Sequence, residues 1–218
     1  MKRDSDFQRR LTVQPGKQRD RLSLETARKD AQGCERCDLF KSATQTVFGE
    51  GPANARIMFV GEQPGDLEDR EGQPFVGPAG RLLRQALTRA SIQVEQVYLT
   101  NAVKHFKWKP RGKRRIHERP NHEEVMACRL WLDLELQTVR PRILIALGAT
   151  AARALLGPSV KVMRDRGRQL PSPLADIVAV TVHPSSILRA GDSEARAAAL
   201  ERFMVDLRKV ARWLKKFQ

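Results

Sequence analysis

Residues 97–119 read VYLTNAVKHFKWKPRGKRRIHER, and their interpretation decides the fold. The apolar run 97–100 fits a buried strand. The chain then leaves it through Asn101 into a segment with Lys104, Lys107, Lys109, Arg111, Lys113, Arg114, Arg115 and Arg119 against one acid, Glu118. Pro120-Asn121 follows, the signature of a helix start. A strand, a long polar loop and a helix in that order place the loop at the carboxyl edge of a sheet, where open α/β folds bind their ligands. Taken alone, a charge run of this kind is equally a solvated, flexible segment.

Outward from this stretch the same pattern repeats. Residues 56–60 (RIMFV), 142–147 (RILIAL) and 177–182 (IVAVTV) are short apolar runs that end in Gly61, Gly148 and His183-Pro184. Continuous apolar runs of this length are strands buried on both faces. Between them lie segments with helical spacing: Leu82, Leu83, Ala86, Leu87 and Ala90; Val125, Cys128, Leu132 and Leu136; and Leu200, Phe203, Met204, Leu207, Ala211 and Leu214. The last of these is core packing. Asn121 and Glu124 form a capping-box pair ahead of the second. Alternation of strands and helices predicts a three-layer α/β/α sandwich around a mainly parallel, four-stranded sheet. Four loops then meet at one edge, after Val60, Thr100, Leu147 and Val182.

The loop after Val60, GEQPGDLEDREGQPF (61–75), gathers Glu62, Asp66, Glu68, Asp69 and Glu71. Its glycines and prolines argue against regular structure. Acid concentrated at a strand end suits water activation or cation stabilisation better than phosphate binding, and neither GxGxxG nor the P-loop pattern occurs.

Length and charge bound the rest. At 218 residues the chain fits one α/β domain, residues 31–218, preceded by a basic and weakly patterned stretch, 1–30, read as a loose arm. A net charge of +15 and a pI near 10.5 point to a polyanion, with nucleic acid the foremost candidate. An anionic membrane is disfavoured because no stretch is apolar for the length of a bilayer span. The first residues lack the apolar core of a secretory signal, so a cytoplasmic location is expected. The three cysteines in a reducing compartment do not suit a disulfide framework. Cys34-Glu35-Arg36-Cys37 has the spacing of a metal-ligand pair, of a redox pair, or of two ordinary small residues.

Four motifs carry a specific resemblance: 61–66 (GEQPGD), 72–80 (GQPFVGPAG), 100–104 (TNAVK) and 182–186 (VHPSS). In this order they resemble the uracil-DNA glycosylase superfamily, and among its members the iron–sulfur family 4. Gln63 in the first motif and the inserted segment Lys113–His117 resemble the UdgX branch, whose members become covalently joined to uracil-containing DNA. The resemblance runs from about Cys34 to the end of the chain.

The resemblance implies site residues and a mechanism. Family 4 carries a third cysteine directly after Asn-x-Val-Lys, where this chain has His105. The implied ligands of a [4Fe–4S] cluster are therefore Cys34, Cys37, His105 and Cys128, imidazole replacing thiolate as in Rieske centres. Zinc would be satisfied by the same three Cys and one His. The cluster's expected job is structural. Uracil is flipped from the stack, most cheaply from single-stranded DNA. Phe75 stacks on it and Asn101 pairs with its edge, while Gln63, Arg115, Ser185 and Ser186 belong to the substrate-contacting set. His183 donates to uracil O2, and Glu62 and Asp66 stabilise the cationic sugar. In the UdgX reading, the leading expectation, His117 attacks C1′, kept neutral by Arg114 and Arg115, and a single turnover ends in an adduct; the alternatives are a multiple-turnover family 4-type glycosylase that releases abasic DNA and a non-catalytic, metal-stapled nucleic-acid-binding protein. The expected assembly is a monomer. His122 is read as a surface residue at a helix start.

Overall fold

The computed structural model describes residues 23–217. Most of the stretch read as a loose arm, residues 1–22, lies outside the described part. From Leu24 onward the expectation is corrected. Helix α1 (Leu24–Gln32) is capped by the Ser23 hydroxyl, which accepts from Thr26 N, and buries Ala27 and Ala31 against the domain. A polar sequence with only two small apolar residues at i and i+4 gives little periodic signal, yet suffices to dock one turn-face.

The core is the expected α/β/α sandwich. Strands β1 (Ile57–Gly61), β2 (Val97–Asn101), β5 (Ile143–Leu147) and β7 (Ile177–Thr181) pair in parallel, in the order β2-β1-β5-β7. All residues of these strands are buried, which explains their unbroken apolar runs. Alternate side chains feed two separate cores. Met58, Val60, Tyr98, Leu144, Ala146, Val178 and Val180 face α1, α4 (His122–Val139) and α5 (Gly148–Leu156). Ile57, Phe59, Val97, Leu99, Ile143, Ile145, Ile177 and Ala179 face α3 (Pro78–Arg89) and α8 (Ser193–Leu214). The sheet has a fifth strand beyond the four expected. It is β6 (Gln169–Leu170), an antiparallel edge too short to leave a periodic signature.

Two loops contain more structure than their composition suggests. The acidic loop holds helix α2 (Asp66–Glu71). Gly65 precedes it with extended backbone, and Gly72, at φ 73°, ends it in the left-handed region, so these glycines cap a helix where they were read as breaking one. Within the basic loop, β3 (Trp108–Arg111) and β4 (Arg114–His117) form an antiparallel hairpin, with Trp108 opposite His117 and Gly112 at φ 58° in the turn. Asn121 and Glu124 make the predicted capping box of α4, with the Asn121 side chain accepting from Glu124 N at 2.8 Å. Between β6 and α5 lies the short helix α6 (Val162–Asp165), and α7 (Pro184–Leu188) follows β7. No helix among the described residues is long and apolar enough to cross a membrane.

Candidate active site

Parallel pairing brings the ends of β1, β2, β5 and β7 to one edge, where a cleft of about 990 Å³ opens. Glu62, Gln63, Asp66, Phe75, Asn101, His117, His183, Ser185 and Ser186 all line it. Nine of the residues named from sequence therefore meet in one place, although they come from five separate segments. The backbone fixes this meeting: Ala102 N donates to Gly61 O at 2.9 Å and Val103 N to Glu62 O at 3.0 Å, tying the turn after β2 to the turn after β1.

Gly61 allows Asn101 and Phe75 to converge. A Cβ on Gly61 would lie 2.3 Å from Asn101 Oδ1 and 2.8 Å from Phe75 Cζ, so any larger residue would drive the two side chains apart. Phe75 takes the left-handed conformation at φ 59°, uncommon for an aromatic residue. Gly80 accommodates it, since a Cβ there would be 1.7 Å from Phe75 O. The Phe75 ring lies 6.2 Å from the His183 ring at 27°, so an aromatic face and an imidazole flank the same space.

His183 caps α7, and its Nδ1 accepts from Ser185 N at 3.2 Å and lies 2.8 Å from Ser185 Oγ. An accepting Nδ1 leaves the proton on Nε2 in the neutral ring. Burial, then Arg189 and His117, push this imidazole down to about 4, so it is a neutral hydrogen-bond donor at physiological pH. Ser186 Oγ donates to His183 O at 2.7 Å. Both serines thus brace His183 in this structure.

His117, at the end of β4, places Nε2 3.4 Å from Glu62 Oε1. Burial lowers its imidazole below the usual range; Arg189 and Arg119 act in the same direction, and Glu62 opposes them. The arginines that keep it neutral are therefore not the expected Arg114 and Arg115. Arg114 follows the exposed hairpin turn, and Arg115 points to the acidic helix. Arg115 Nε pairs with Asp66 Oδ1, and its Nη1 meets Asp69 Oδ2 at 2.6 Å. Its guanidinium also lies over the rings of Phe106 and Trp108, at 5.4 and 5.5 Å. Consumed in this way, Arg115 fastens the hairpin and does not line the cleft.

Two further expectations are narrowed. Asp66 does border the cleft, but its second oxygen takes Arg70 at 3.0 Å, so both oxygens face cations and Glu62 is the freer carboxylate. Gln63 is 6 % exposed, and its amide donates to Lys107 O and Glu118 O at 3.1 and 3.0 Å while accepting from Lys107 N at 3.2 Å. It clasps both ends of the hairpin. Sequence reasoning passed over Arg189, Leu67 and Met163 and named Arg119 only as one charge of the basic run, yet all four line the cleft. The only sequence signal for the two arginines was their position just after motif segments.

Away from the cleft, Cys34 and Cys128 are buried and Cys37 is half-buried, with free thiols. Burial raises the Cys128 thiol to about 11, and the neighbouring Cys37 and Cys34 add to the shift. Trp131 Nε1 donates to Cys34 Sγ at 3.1 Å, and Lys104 N to Cys128 Sγ at 3.2 Å, the kind of contact that stabilises a ligating thiolate. His105 is 3 % exposed, its Nε2 lies 2.9 Å from Thr46 Oγ1, and its Nδ1 is buried without a partner. Among the described residues no three His, Cys, Asp or Glu side chains are gathered as a formed metal cage. The donor chemistry nonetheless fits a soft metal centre: three free thiols in or against one core cluster and one orphaned imidazole nitrogen.

The edge of this α/β sandwich thus brings a Phe, an Asn and a neutral His together beside a carboxylate in one cleft. The uracil DNA glycosylase superfamily model matches residues 48–208, and the chain belongs to that superfamily. It is 36 % identical over 194 residues to the type-4 uracil-DNA glycosylase of Thermotoga maritima, covering 88 % of this chain and 95 % of the relative. Against the type-4 enzyme of Pyrobaculum aerophilum it is 35 % identical over 175 residues, 77 % of this chain and 86 % of the relative. The type-4 enzyme of Archaeoglobus fulgidus is 40 % identical over 131 residues, 60 % of this chain and 62 % of the relative.

Proposed function

We propose that this chain, like the relatives named type-4 uracil-DNA glycosylases, excises uracil from DNA, and that it releases abasic DNA over many turnovers. The observation that carries the reading is the convergence of Phe75, Asn101 and His183 on one cleft. Phe75 stacks on the flipped base. The Asn101 amide offers an acceptor to uracil N3–H and a donor to O4, a pattern that cytosine reverses. As the N-glycosidic bond breaks, its electron pair leaves with uracil, and His183 Nε2–H stabilises the charge on O2. Glu62 faces the cationic sugar and takes the proton of the attacking water. The exposed basic residues of the hairpin hold the DNA backbone, with single strands favoured because no base pair has to open. The working form is a monomer.

A second outcome, covalent capture, is favoured by one observation: the neutral imidazole of His117 stands 3.4 Å from Glu62 at the cleft. A ring nitrogen would bond to C1′ as uracil departs, and the other ring proton would pass to Glu62. Cys34, Cys37, His105 and Cys128 would hold a [4Fe–4S] cluster whose role is structural, pinning the segment after Asn101 to α4 and to the segment at Cys34.

One experiment separates these outcomes. The protein is incubated with a uracil-containing oligonucleotide, free uracil is counted, and the DNA is run on a denaturing gel. Uracil in excess of protein supports turnover. One uracil per protein with a heat-stable slow band, lost in His117→Ser, supports capture. No uracil release from the oligonucleotide refutes both.

A further inference from the structure

The two oxygens of Glu62 have different neighbours. Oε1 faces His117 Nε2 at 3.4 Å, whereas Oε2 accepts a hydrogen bond from Thr150 Oγ1 and lies 3.7 Å from Arg119 Nε. Thr150 is 9 % exposed and stands in the first turn of α5, directly beyond the end of β5. Gly148 permits the abrupt strand-to-helix change at φ 86°, and a Cβ there would lie 3.1 Å from His183 Cβ. The hydroxyl is therefore delivered from a buried position on a helix that starts directly at the strand end. Arg119 is different: its side chain is 69 % exposed and follows the hairpin.

We propose that Thr150 is a positioning residue for Glu62: its hydroxyl holds Oε2 so that Oε1 stays turned to His117 and the cleft, against the pull of Arg119. The proposal rests on the reading of this cleft as the uracil-excising site. Its physical basis is a competition for one carboxylate oxygen. A hydrogen bond to a charged group from a fixed, buried hydroxyl is strong and directional. An ion pair with an exposed guanidinium is weakened by solvent, salt and side-chain entropy. With Thr150 present, the carboxylate stays in the cleft. Without it, Glu62 rotates toward Arg119 and forms a more solvated pair, leaving neither a proton acceptor nor a negative charge at the sugar. The other charged and titratable groups around the pair are Arg189, from the end of α7, and His183.

The test uses the metal-loaded full chain and the variants Thr150→Val, Thr150→Ser and Glu62→Gln. Thr150→Val keeps the shape and removes the donor; Thr150→Ala replaces it if Val is not accommodated. Loss of one hydrogen bond to a charged group predicts a fall of roughly 10- to 100-fold in the single-turnover rate of uracil release. Affinity for uracil-containing DNA stays within about twofold, because Thr150 touches no part of the base. Thr150→Ser restores the rate. In the Glu62→Gln background the Thr150→Val change adds little, since the two act as one unit.

A readout independent of activity is the NMR titration of His117. Glu62 raises its midpoint, so withdrawal of Glu62 toward Arg119 lowers it in Thr150→Val, and Thr150→Ser brings it back. The inference is overturned if the His117 midpoint does not move, if Thr150→Ser is as impaired as Thr150→Val, or if the losses of the two sites multiply. A wild-type chain that releases no uracil refutes the functional reading alone, and the His117 titration then decides this one.

Discussion

Replacing Lys104 tests the buried polar unit behind the turn at Asn101. Lys104 is fully buried, and its ammonium donates to Thr100 Oγ1 at 2.6 Å, to Asn101 O at 2.8 Å and to Glu135 Oε2 at 2.6 Å. Glu135 is also fully buried and accepts from Gly49 N at 2.8 Å, Tyr98 Oη at 3.2 Å and Thr100 Oγ1 at 2.8 Å. In Lys104→Met the apolar stem is kept, but Glu135 loses its only ionic partner within contact distance among the described residues. Breaking a buried pair from one side costs about 3–5 kcal/mol. The three remaining donors on Glu135 place the value near the lower end, about 3 kcal/mol, which for a chain of this size is a drop of roughly 6–12 °C in Tm. Calorimetry of the full chain at fixed concentration measures it. The variant Lys104→Met/Glu135→Gln, which removes the stranded charge while keeping an acceptor for Gly49 and Tyr98, should recover at least about 1 kcal/mol of the loss. Because Lys104 also holds the carbonyl of Asn101, Lys104→Met should release cytosine relative to uracil more readily than the wild type does. A melting temperature within 2 °C of wild type, or a double variant as unstable as the sum of the two single changes, would refute the reasoning.

His183 and Arg115 give two further outcomes. The unfolded His183 binds a proton below pH 6.5, but the folded imidazole resists it until about 4. Stability is therefore unaffected above pH 6.5, falls between 6.5 and 4, and levels off below, a loss of about 3 kcal/mol from this residue. Denaturant unfolding at pH 7 and pH 4.5 should show that decline shrinking by most of this amount in His183→Gln; an identical decline would refute it. Arg115→Met leaves Asp69, which is 0 % exposed, without its guanidinium and unfastens the hairpin from α2. Brief trypsin treatment should cut within residues 109–114 faster than in wild type, and Arg115→Lys should not rescue, because one ammonium cannot serve Asp66 and Asp69 together. Equal cutting rates in wild type and Arg115→Met would sink this assignment.

How legible all this was in the sequence differs by element, for physical reasons. The four parallel strands announce themselves because burial on both faces demands continuous apolar runs. The cap of α4 is legible because Asn121 and Glu124 interact three residues apart. Helix α2 and the hairpin are invisible to the same rules. A six-residue helix cannot show two turns of periodicity, and the glycines that bound it resemble those of a loop. The hairpin has no continuous apolar face: Trp108, Lys109, Pro110 and Arg111 oppose His117, Ile116, Arg115 and Arg114. What orders it comes from outside, from the Gln63 amide, the Asp66–Asp69 pair and the bond from Trp108 Nε1 to Ser42 O at 2.9 Å.

The acidic and basic loops, read separately, invited one function each: charge for the sugar on one side, charge for the phosphates on the other. In three dimensions they are a single unit. Asp66 and Asp69 neutralise Arg115, Glu124 takes Lys107 at 2.9 Å, and Glu118 takes Lys109 at 3.0 Å. Net charge says nothing of where these pairs form, because it carries no distances. Subtracting them changes the chemical assignment. Within the hairpin, the cations left without an acidic partner among the described residues are Arg111, Lys113 and Arg114 around the turn. The carboxylate left at the cleft is Glu62, whose neighbours are a neutral imidazole, a threonine hydroxyl and the exposed guanidinium of Arg119. A hairpin fastened by its acids can then be basic at its tip and still hold His117 against the cleft, because fastening and binding draw on different residues of the same charge run.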